Sequence, residues 1–81
     1  MTTLEIRNVP ADEIRRLLTG QFGGSVDGDV VNGDGWRVVL REGTPVFFGQ
    51  TRVSVLFLNI EGDREAEATA FLRKSTMRGG G

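Results

Sequence analysis

The sequence predicts an α+β fold: a two-layer sandwich in which a mostly antiparallel sheet of four or five strands carries two helices on one face, in the order β-α-β-β-(β)-β-α. Three observations predict it. Several short segments alternate apolar and polar residues, the period of a half-buried strand. Two segments repeat apolar residues at helical spacing. Turn-forming clusters separate the strands, and the chain holds 12 glycines.

Residues 3–9 open the series. Leu4 and Ile6 fall on one face, Glu5 and Arg7 on the other. Pro10 ends the strand and suits the first position of a helix, where a missing N–H costs nothing. Ala11, Ile14, Leu17 and Leu18 then make one apolar stripe, with Asp12 and Glu13 placed well for the helix dipole. The helix is expected over 10–19, stopped by Gly20. Val26, Val30 and Val31 predict a strand near 25–32, interrupted or bulged at Asp27-Gly28. Asn32-Gly33-Asp34-Gly35 is a hairpin signal, because primed turns need positive φ. Trp36, Val38 and Leu40 alternate with Arg37, Val39 and Arg41 in a strand over 36–42.

Glu42-Gly43-Thr44-Pro45 is the next turn, followed by the apolar run Val46-Phe47-Phe48 and a tight turn or bulge at Gly49-Gln50. Arg52 to Glu61 carries the longest strand pattern, with apolar residues on both faces, as in a central strand or one covered on its second side. The last helix is expected from an Asp63 N-cap to Met77, with acidic residues at its start, basic residues at its end, and a narrow stripe of Ala68, Phe71 and Leu72. Residues 1–78 read as one domain and 79–81 as a glycine tail, expected to be flexible.

Composition excludes several chemistries. The 81 residues include no Cys and no His, so disulfides, thiolate sites and the usual general base near neutral pH are absent. Serine or threonine nucleophiles would have no imidazole to activate them. A non-enzymatic protein without a cofactor is expected. Asp27, Asp29, Asn32 and Asp34 lie close together, but turn chemistry explains them, and they lack the spacing of a calcium loop; no metal is expected. The net charge is −1, which gives no broad footprint for nucleic acid. No apolar run reaches the length of a membrane span and no signal peptide is evident, so a cytoplasmic protein is expected.

Two surfaces and one terminus are the functional candidates. Phe47, Phe48, Trp36 and Val53 offer more apolar surface than two short helices cover, and predict a partner interface used in self-association. The leading expectation is thus a small binding or assembly module, homo-oligomeric. Arg37, Arg41 and Arg52, with the phenylalanines nearby, are candidate contacts for single-stranded nucleic acid; a solvated sheet face is the preferred explanation, because the net charge offers no supporting footprint.

The terminus is Met77-Arg78-Gly79-Gly80-Gly81. Its last residues resemble the Gly-Gly ends that ubiquitin-like and sulfur-carrier proteins present for activation. That resemblance implies a carrier. Those proteins open with a β-hairpin before their helix, whereas here the first strand runs directly into a helix. No longer motif marks a family.

Overall fold

The computed structural model describes residues 1–76. The chain forms β1 (Thr2–Arg7), α1 (Ala11–Phe22), β2 (Ser25–Asp27), β3 (Val30–Gly33), β4 (Trp36–Glu42), β5 (Val46–Phe48), β6 (Thr51–Val53), β7 (Val55–Glu61) and α2 (Glu65–Thr76). Five strands make one antiparallel sheet in the order β1-β7-β4-β3-β2, and β5 pairs with β6 in a separate ribbon. This is the α+β architecture the sequence predicts.

Period-2 alternation places every other side chain of the sheet under the helices. Leu4, Ile6, Val31, Trp36, Val38, Leu40, Leu58 and Ile60 join Ile14 and Leu18 of α1 and Ala68 and Leu72 of α2 in one core. Leu58 and Ile60 are wholly buried on β7, an interior strand between β1 and β4. Each such side chain contributes about 1.5–3 kcal/mol on burial. The two helices pack against each other and against the same face of the sheet. The opposite face carries Glu5, Arg7, Arg37, Arg41, Phe57 and Asn59 and has no helix over it among the described residues.

Several boundaries differ from the sequence reading. Helix α1 runs three residues beyond Thr19, through Gly20, and stops at Gly23, whose φ is +75°. A glycine at Gly20 weakens a helix, but Phe22 beyond it is anchored: its ring lies 5.3 Å from Phe71, edge to face, and 5.8 Å from Trp36. Packing of that ring carries the helix through the weak residue. The strand expected over 25–32 is a hairpin, β2 and β3, turning at Gly28 with φ +60°. The strand expected over 52–61 is broken at Ser54 into β6 and β7. Arg64, not Asp63, takes the N-cap position of α2: its carbonyl accepts the first helical bond, from Ala68 N–H at 3.0 Å.

Candidate functional site

Residues 43–54 leave the sheet and return to it. Val46 pairs with Val53, Phe47 with Arg52 and Phe48 with Thr51, and Gly49 (φ +62°) makes the turn. Neighbouring residues of a strand point to opposite faces, so Val46 and Phe48 lie on one face of this ribbon and Phe47 on the other. No other strand joins the ribbon among the described residues. Phe47 and Phe48 are 63% and 61% exposed, whereas the other phenylalanines are half-buried. Two adjacent exposed rings on a projecting arm make the main apolar feature of the surface.

An open cleft of about 450 Å³ lies between the base of the arm and the start of α1, lined by Pro10, Asp12, Arg15, Glu42, Pro45 and Arg52 among others. Its charges are largely balanced. Arg15 Nη1 donates to Asp12 Oδ1 at 2.7 Å, and Nη2 lies 3.5 Å from Asp29 Oδ1. Among the described residues, no group of three or more Cys, His, Asp or Glu is arranged to hold a metal ion.

The structure separates the residues that the sequence grouped. Phe47 and Phe48 sit on the arm with Val53 at its base. Trp36 does not belong with them: it is 3% exposed and packs in the core beside Phe22, so it lines no partner surface. Among the described residues its buried indole N–H has no hydrogen-bond partner. The three arginines do not form one face either. Arg37 and Arg41 stand on the open face of β4, and Arg37 is paired with Glu61 across the sheet at 3.3 Å. Arg52 is on the arm, opposite Phe47.

The opposite end of the molecule is tied by polar contacts that sequence patterning does not reveal. Thr2 Oγ1 donates to Glu65 Oε2, and the Met1 ammonium lies 2.9 Å from Glu65 Oε1. The Thr2 hydrogen bond, helped by that ammonium, holds the Glu65 carboxyl below its ordinary range. Arg64 bonds to Glu67, whose carboxyl is lowered for that reason, and its guanidinium stacks 5.0 Å from the Phe22 ring. These contacts fix the start of α2 on the sheet. The diglycine lies outside the described residues. No helix among those described is long and apolar enough to cross a membrane.

A small α+β body with an uncovered sheet face and an apolar arm defines the class. The chain belongs to the archaeal MoaD-like family, whose model matches residues 2–81. No curated protein matches the chain. Among the described residues β1 leads straight into α1 and every strand pair is antiparallel.

Proposed function

We propose that this protein is a non-enzymatic carrier of the sulfur-carrier type, a small body that presents Gly80-Gly81 to an activating enzyme. One observation carries the reading: the MoaD-like match runs to residue 81 and so takes in the diglycine. Two glycines in succession let a chain enter a narrow active-site channel, since no side chain blocks the approach of its backbone. The reacting group would be the Gly81 carboxylate. The body has no thiol of its own to intercept a transferred sulfur.

Incubation of the full chain with ATP and an adenylating enzyme of the sulfur-carrier class tests this. The expected result is a covalent mass change on the peptide ending in Gly81, lost when Gly80 and Gly81 are deleted. An adduct that survives the deletion, or no adduct with the intact chain, overturns the reading.

The exposed phenylalanines favour a second reading, a binding or assembly module that works through its arm. Here the partner docks on Phe47, Phe48 and Val53, and the tail is incidental. Capture of a partner by the chain lacking Gly80-Gly81, abolished by Phe47→Ser with Phe48→Ser, favours this reading over the carrier.

A further inference from the structure

We propose that the free edge of β1 is a two-fold interface at which a second copy of this chain adds its own β1. The inference is independent of the carrier reading, since it is argued from β1 alone.

The sheet has two edges, β1 and β2. Hydrogen-bond parity shows what each offers. In an antiparallel ladder alternate residues exchange both bonds with one neighbour, and the residues between them point the other way. Asn8 N–H donates to Ser54 O at 2.9 Å, continuing the register in which Ile6 faces Leu56 and Leu4 faces Leu58. The even-numbered residues of β1 therefore bond inward to β7. The N–H and C=O groups of Thr3, Glu5 and Arg7 point outward. Gly43 N–H to Val55 O and Leu40 N–H to Asp29 O carry the same alternation across the sheet. At the far edge it leaves only Val26 of the three-residue β2 pointing out. Among the described residues strand β1 is thus the edge with a row of unpaired backbone groups, the arrangement that templates another strand.

Parity and charge together select the occupant and its register. Outward-facing residues must meet outward-facing residues, so a second antiparallel strand can pair Glu5 with Glu5, with Thr3 or with Arg7 of the partner. The first sets two carboxylates directly opposite, which is unfavourable. The second leaves all four charges of the two strands without a cross-strand partner. The third sets Glu5 against Arg7 of the partner and Arg7 against its Glu5, with Ile6 on the two-fold axis. Within one chain Arg7 Nε already reaches Glu5 Oε2 at 2.9 Å along the strand. Across the axis the same two residues complete an alternating quartet of charges on the open face. The strand is complementary to itself, and this is the argument for a second copy over a foreign strand. On the helix side Leu4 and Ile6 keep a margin of 8% and 7% exposure, which the partner strand covers.

The test measures mass and amide exchange on the full chain. Light scattering is expected to give a concentration-dependent dimer. In that dimer the Glu5 and Arg7 amides are protected from hydrogen exchange while Thr3, facing residues beyond the end of the partner strand, is not. Glu5→Arg alone and Arg7→Glu alone weaken the dimer at least about tenfold, by placing like charges opposite one another. A 1:1 mixture of the two single variants forms a heterodimer, and the Glu5→Arg/Arg7→Glu double variant restores the homodimer. Phe47→Ser/Phe48→Ser leaves dimerisation unchanged. A wild-type chain that stays monomeric at high micromolar concentration overturns the proposal. So does failure of the mixed single variants to associate, or a dimer that depends on the phenylalanines and not on Glu5 and Arg7.

Discussion

Gly33 and Trp36 face each other across the β3–β4 hairpin so closely that a methyl group on Gly33 would lie 2.0 Å from the indole ring. The ring lies over bare backbone, and Phe22 packs against it. The hairpin glycine is therefore a seat for the only tryptophan as well as a turn residue.

Gly33→Ala is expected to destabilise the fold by about 1–3 kcal/mol, the usual range for overpacking a filled core. The indole is rigid and buried, so it cannot swing aside cheaply. A lower urea midpoint checks this. With a single tryptophan in the chain, its fluorescence reports the displaced ring directly.

Phe47→Ser and Phe48→Ser are expected to leave stability within about 0.5 kcal/mol, since both residues are largely exposed and neither belongs to the buried core. The same change is expected to reduce partner capture in a pull-down. Thermal melts beside binding curves separate the two effects. A large loss of stability would show that the arm is part of the fold.

Thr2→Val is expected to raise the Glu65 carboxyl toward its ordinary range by removing the main hydrogen bond that lowers it. A carboxylate lowered in the folded state stabilises that state above the unfolded pKa. This contribution is lost as pH falls through the folded pKa. Removing the bond should flatten the acid side of the stability profile. Carboxyl NMR titration of Glu65 and denaturation across the acid range measure both ends of the linkage.

Much of this architecture was legible because the two periods are clean. Leu4/Ile6, Val38/Leu40 and Leu58/Ile60 announce strands with one buried face, and Ile14 and Leu18 announce α1. The break at Ser54 was not legible, because apolar alternation runs unbroken through it. Only the competition of β5 for β6 splits the strand. Gly20 misleads for a different reason: its local cost is real but is outweighed by Phe22 docking on Trp36 and Phe71. Trp36 was grouped with the exposed phenylalanines by residue type, and its burial depends on the glycine opposite, a cross-strand relation that composition does not encode. Phe47 and Phe48 stood out in the sequence as a surplus of apolar residues, and the fold leaves them in water.

Strands β4 and β7 lie side by side in the sheet, and the arm departs and returns between two residues, Glu42 and Val55, at one end of that pair. A short turn would join those ends without altering a single register of the five-stranded frame. The buried frame and the two exposed rings therefore lie in separate stretches of the chain. The arm can lengthen, shorten or change its residues while the frame keeps its core, because no side chain of that core is drawn from residues 43–54.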